Sequence, residues 1–243
     1  MEHNRLKAKE DILYHTHELI QALSDADLNR AAKAREEILR NADIVFATEE
    51  EKLNTYKIVA ASYNGAYNQG EALPIVKRIV KITKAMYPKN SPEQIEAYDM
   101  LAYTLLAAGE SEQALRLAKE LKRFYTGKYG REDRKTIKIT ALIGRIWWKR
   151  GGFQDGYDAM KEAYEAAEKA FGPADIDTLN YRRELVMCSY YMENVSEAYQ
   201  EMLRIYEVCL HQYGEGHTIT LKTSQNLLQM AKELENKSQE EEE

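Results

Sequence analysis

The stretch YGEGHTITL, residues 213–221, opens on an aromatic–glycine step that recurs upstream at a fixed interval. Tyr87, Tyr129, Phe171 and Tyr213 lie 42 residues apart, three times running, and are followed by Pro88, Gly130, Gly172 and Gly214. A period of this size marks one supersecondary element per unit, which buries its apolar face only by stacking on its neighbours. The expected architecture is therefore a solenoid, and the expected mode of action is docking. Cutting at the aromatic gives units 45–86, 87–128, 129–170 and 171–212, then a partial fifth, 213–235, with no insertion.

Further registers hold inside the units. Ala72, Ala114, Gly156 and Ala198 put a small residue at one shared position, where two helices can approach closely. Val59, Leu101, Ile143, Leu185 and Leu227 form a branched apolar column, as a core position of each unit's first helix requires. Beside it, Ala60, Ala102 and Gly144 stay small before Val186 and Leu228 break the pattern. Gly70, Gly109, Gly151 with Gly152, and Asn194 mark a turn between the two helices of each unit. Thr48 with Glu51, and Ser91 with Pro92 and Gln94, have the spacing of helix N-caps. Pro74 falls in a first helical turn if the second helix of its unit starts near Glu71.

These units predict an all-α chain. Residues 1–44 form an N-terminal helical pair, over 5–23 and 27–42, that caps the array or is a divergent repeat. A last helix over about 218–235 presents Lys222, Gln225, Gln229 and Lys232 as a polar outer face, and residues 236–243 read as a disordered acidic tail.

Composition narrows the function. With 30% charged residues, 4 prolines and a net charge of −6, the chain favours helix and opposes wholesale binding to nucleic acid or an anionic membrane. The polar N-terminus has no signal-peptide core and no run approaches a membrane span, so the cytoplasm is the expected compartment. Cys188 and Cys209 read as buried thiols. Phosphate-binding, dinucleotide-binding, serine-hydrolase and zinc-protease motifs are absent, His15 and His17 diverge on a helix, and Asp175 with Asp177 begins one. No enzyme activity, cofactor or metal is expected.

The columns resemble a tetratricopeptide repeat (TPR) of the 42-residue kind found in kinesin light chains. The resemblance is carried by residues 213–221 followed by Asn226 and Leu227, and by Phe171-Gly172 leading to Thr178-Leu179 and Glu197-Ala198, and it spans residues 45–235. It implies a right-handed α-α superhelical solenoid of TPR-like helix pairs, whose first helices line a concave groove that grips a peptide or a partner protein. The groove asparagine recurrent in that family is present as Asn226.

Helical spacing from the apolar column selects the groove side of each first helix. It picks out Glu96 and Tyr103 in the second unit; Lys138, Arg145 and Trp148, with Lys149 beside it, in the third; and Asn180, Met187 and Tyr190, with Arg183 and Tyr191 adjacent, in the fourth. From Arg116 to Arg150 there are 12 basic against 3 acidic residues, and from Asp155 to Glu201 there are 4 against 11. A basic, aromatic groove suits an acidic or phosphorylated peptide; the competing expectation is that the two segments neutralise one another. The function expected is a non-enzymatic scaffold or adaptor, and the alternative is a regulator whose superhelix changes pitch when a peptide binds. Partner identity and oligomeric state are not written in the sequence.

Overall fold

A computed structural model describes residues 2–66, 68–192 and 194–240, and among them eleven helices and no strand. The order is α1 (Glu2–Ser24), α2 (Leu28–Val45), α3 (Glu49–Gly65), α4 (Gln69–Met86), α5 (Pro92–Ala107), α6 (Ser111–Tyr129), α7 (Arg134–Lys149), α8 (Phe153–Phe171), α9 (Ile176–Tyr191), α10 (Val195–Tyr213) and α11 (Thr218–Glu240). The chain divides into two compact units, Met1–Leu117 and Ala118–Glu243.

Helix starts follow the chemistry read from the sequence. Thr48 and Glu51 form a reciprocal capping box at α3, and Ser91 accepts from the Gln94 N–H at α5, where Pro92 takes the first helical position. Asp133 and Asp175 cap α7 and α9 in the same way. The glycine of the repeating step ends the second helix: Gly130, Gly172 and Gly214 have φ of 89, 88 and 79°, a left-handed conformation that side chains resist. Two expectations shift. Gly70 lies inside α4 rather than in the preceding turn, and because α4 starts at Gln69, Pro74 sits beyond its first turn.

In the first unit, Leu19, Ala22, Ala31, Ile38, Val59, Tyr63 and Ala72 form one core, and Leu53, Tyr56, Val76, Ile79 and Ala97 form a second. In the second unit, Ile137, Ala141, Met160, Ala163, Ala167 and Tyr181 join α7, α8 and α9. Leu179, Val186, Ala198, Met202, Ile205, Cys209, Ile219 and Met230 then join α9, α10 and α11. Both small columns are buried, up to Leu228, which is 58% exposed.

A polar column accompanies the apolar ones. Gln94, Thr136, Thr178 and Thr220 recur every 42 residues and are all buried. Gln94 donates to the Tyr87 carbonyl at 2.8 Å, Thr136 to that of Gly130 at 2.8 Å and Thr220 to that of Cys209 at 3.3 Å. Three first helices, α5, α7 and α11, are thereby tied to a backbone acceptor at or near the end of the preceding second helix, whereas the Thr178 hydroxyl of α9 makes no hydrogen bond among the described residues.

At the C-terminal end, Lys222, Gln225, Gln229 and Lys232 are exposed as expected, but Leu221 and Leu228 share that surface. The segment read as a disordered tail is helical from Asn236 to Glu240, and residues 241–243 lie outside the described residues. No described helix is long and apolar enough to cross a membrane.

Candidate functional site

Three first helices of the second unit, α7, α9 and α11, carry ten of the twelve groove candidates, which spacing, adjacency and the resemblance picked out. The other two are on α5 in the first unit, where Glu96 is exposed and accepts from Lys57 of α3 at 2.6 Å, and Tyr103 is half-buried. α7 brings Lys138, Arg145, Trp148 and Lys149; α9 brings Asn180, Arg183, Met187, Tyr190 and Tyr191; α11 brings Asn226.

Between α7, α8 and α9 lies a cavity of about 180 Å³, lined by Gly144, Arg145, Trp148, Met160, Glu184, Met187, Cys188 and Tyr191. Its lining is mainly apolar. One of its lining residues, Gly144, sits where α7 and α8 approach closely: a Cβ there would lie 3.0 Å from the Gly156 carbonyl oxygen. Aromatic rings form one wall, with Trp148 centred 4.7 Å from Phe153 and 5.7 Å from Tyr191, itself 5.0 Å from Tyr190. Tyr191 is 54% exposed, whereas Tyr190 is only 7% exposed and turns towards α11, donating to Glu233 and accepting from Gln229. Tyr190 thus faces α11, where it lines a second pocket with Gln225, Leu228 and Gln229, rather than the cavity beside Trp148. Trp147 points away from this wall, with Lys119 at 5.3 Å and Arg150 at 5.2 Å over its ring.

The electrostatics of the face differ from a simple basic groove. Arg145 donates from Nε and Nη2 to Glu184 at 2.7 and 2.8 Å, a bidentate pair across α7 and α9. Arg134 pairs with Asp175 and Asp177 and Lys122 with Glu162, so part of the basic segment's charge is offset by the acidic segment, while Lys169 pairs with Glu132 in the opposite sense. Lys138 and Lys149 are exposed. Arg183 is different: its side chain is 14% exposed, Nη1 donates to Asn226 at 3.3 Å, and buried Nε has no hydrogen-bond partner among the described residues. Burial pushes its pKa below the usual guanidinium value, against the attraction of Glu184.

Glu184 was not singled out by the helical spacing, although it stands 39 residues after Arg145, the same interval that separates the paired Lys57 and Glu96. Cys188 and Cys209 are both buried free thiols, and burial raises Cys188 to about 12. Asn180 bonds the Ile176 carbonyl of its own helix. His217 accepts from the Ile219 N–H, a capping role. Among the described residues no group of three or more His, Cys, Asp or Glu is placed to hold a metal ion.

No protein-family model matches the sequence, and no curated protein does. Solved structures do match. Nearly identical TPR-like repeats from Podosopora anserina, described as a kinesin light chain, superpose with a TM-score of 0.63 at 15% identity, covering 79% of this chain and 90% of that one. The fold is that of a TPR-like helical repeat. BtubC (BKLC) from P. vanneervenii superposes at 0.61 with 13% identity, over 93% of this chain and 83% of that one. The apo form of RapI does so at 0.60 with 14% identity, over 82% and 70%. The TPR-like likeness therefore covers the helix-pair arrangement of both units, and the all-α solenoid class expected from the 42-residue period holds.

Proposed function

We propose that this chain is a non-enzymatic scaffold that binds a protein or peptide partner on the α7–α9–α11 face of its second unit. The observation that carries the reading is the cavity between α7, α8 and α9 with its aromatic wall, half-buried Trp148 and exposed Tyr191. Aromatic side chains offer large, rigid contact area beside a desolvated pocket, the composition of an interface centre. The TPR-like fold supports the same reading, since its stacked helix pairs present their first helices side by side.

A preference for acidic or phosphorylated segments rests on Lys138 and Lys149, which are exposed on the Arg145 stripe of α7. Arg145 itself braces Glu184 and contributes to the framework. The test is affinity capture with the wild-type chain and with a Lys138→Glu, Lys149→Glu, Tyr191→Ala variant, reading retained proteins by mass spectrometry and confirming each by calorimetry. A protein held only by the wild type supports the assignment; equal retention on both chains rejects this face.

A further inference from the structure

We infer that two copies of this chain pair through α1, laid antiparallel about Leu13, so that Leu6 of each copy packs on Ile20 of the other. The surface belongs to the first unit, so the pairing stands or falls apart from the partner-binding reading of the second. α1 is apolar on two sides. One, with Ala8, Leu19 and Ala22, is buried within the unit. The other carries Leu6, Leu13 and Ile20, each more than half exposed and spaced by seven residues. Seven residues fall about 20° short of two full turns, so the three stand in one line along the helix. Among the described residues thirteen large apolar side chains are exposed, and four of them, these three and Tyr14, belong to this one helix. Such crowding marks a contact surface, whereas single exposed side chains are ordinary.

A second copy is the occupant that the spacing fits. Leu6 and Ile20 lie equally far from Leu13, about 10 Å along the axis on either side. An antiparallel copy therefore sets Leu13 on Leu13 and each Leu6 on an Ile20, with no member of the line unmatched. At Ile20 the surface dips into a hollow of about 480 Å³ between α1 and α3, lined also by Leu23, Ala61 and Gly65, which gives Leu6 of the second copy a seat. Charge sets the direction. On the antiparallel path exposed Glu10 meets exposed His17 of the second copy, twice by symmetry, and Lys9 meets Thr16. A parallel path would set Lys9 on Lys9, like charges at close range. One helix pair covers less than the ~800 Å² per partner of a standard interface, so the pairing is weak, with a Kd of about 10–100 µM.

The experiment is sedimentation velocity on the full chain from about 5 to 500 µM, joined to disulfide trapping. The average mass should rise with concentration from that of one chain towards that of two. Leu13→Asp, at an exposed position, should keep the helical signal and the melt but weaken pairing about tenfold or more. Tyr14→Ser, about 100° round the helix, should leave pairing within about twofold. Under mild oxidation Leu13→Cys should link to a second copy of itself, and Leu6→Cys should link to Ile20→Cys in a mixture but not to itself. Cys188 and Cys209 are buried and stay silent. A chain that remains monomeric throughout the range overturns the inference and leaves the stripe to the helix of a different protein. A dimer that tolerates Leu13→Asp overturns it as well, and Leu6→Cys linking to itself would make the pairing parallel and overturn the register. The capture experiment at Lys138, Lys149 and Tyr191 is unaffected by any of these outcomes.

Discussion

Gly144 and Gly156 face each other where α7 crosses α8, each so close that a side chain on one would press the backbone of the other. A Cβ on Gly144 would lie 3.0 Å from the Gly156 carbonyl, and one on Gly156 3.1 Å from the Gly144 carbonyl. In the first unit the corresponding pair is Ala60 with Ala72, both buried, so this crossing in the second unit carries no Cβ where that one carries two.

Alanine at either glycine should therefore destabilise the chain by about 1–3 kcal/mol, because the neighbour to be displaced is backbone. Gly127, in α6, has nothing within 4 Å of a built Cβ, so Gly127→Ala should stabilise by roughly 0.5–1 kcal/mol. Urea titration of the three variants checks the opposite signs.

Thr136→Val should cost about 1 kcal/mol, since it removes the hydroxyl that donates to the Gly130 carbonyl. The same change at Thr178, whose buried hydroxyl oxygen has no hydrogen-bond partner, should be neutral or stabilising. Similar losses at both positions in thermal melts would show that the polar column acts through packing alone.

The Arg145–Glu184 pair is half-buried and bidentate. A double-mutant cycle with Arg145→Met and Glu184→Gln should give a coupling on the order of 1 kcal/mol. Glu184→Gln alone should be the costlier single change, because it also takes the nearest carboxylate from Arg183. A coupling indistinguishable from zero would mean that solvent screens the pair.

Cys188 is raised from 9.0 to about 12, mainly by burial. Between these values the unfolded thiol has lost a proton that the folded one keeps, so this contribution to stability is whole below pH 9 and declines as pH rises towards 12. The stability difference between wild type and Cys188→Ala should shrink across that window. At pH 8 iodoacetamide should label neither cysteine until the chain unfolds.

The helix pairs were legible because the chain repeats the same local chemistry: Thr48 and Ser91 cap, Gly172 and Gly214 terminate, and the interval between aromatics fixes the phase. Part of the grouping of the candidate residues was legible, since Trp148, Met187 and Tyr191 fall together around one cavity. Tyr190 faces α11 instead of this cavity because adjacent residues on a helix point about 100° apart, and its neighbour Tyr191 lines the cavity. Of the two expectations for the positive excess over Arg116–Arg150, neutralisation accounts for several of its charges, pair by pair in a way the sequence did not disclose. Its partners, such as Glu162 for Lys122 and Glu184 for Arg145, lie 40 and 39 residues downstream, visible only once the helices are laid side by side. The cavity depends on the approach of two glycines in space, which no linear pattern records.

The side-chain ties between neighbouring first helices, 39 residues from Arg145 to Glu184 and 43 from Arg183 to Asn226, each bridge a single repeat. None of the cavity's lining residues comes from α10 or α11. A protease that nicks the connection after Tyr213 would thus peel away the last helix and strip Arg183 of its asparagine, yet leave the walls around Trp148 standing. Trimming from that end would change the surroundings of Arg183 before it touched the cavity.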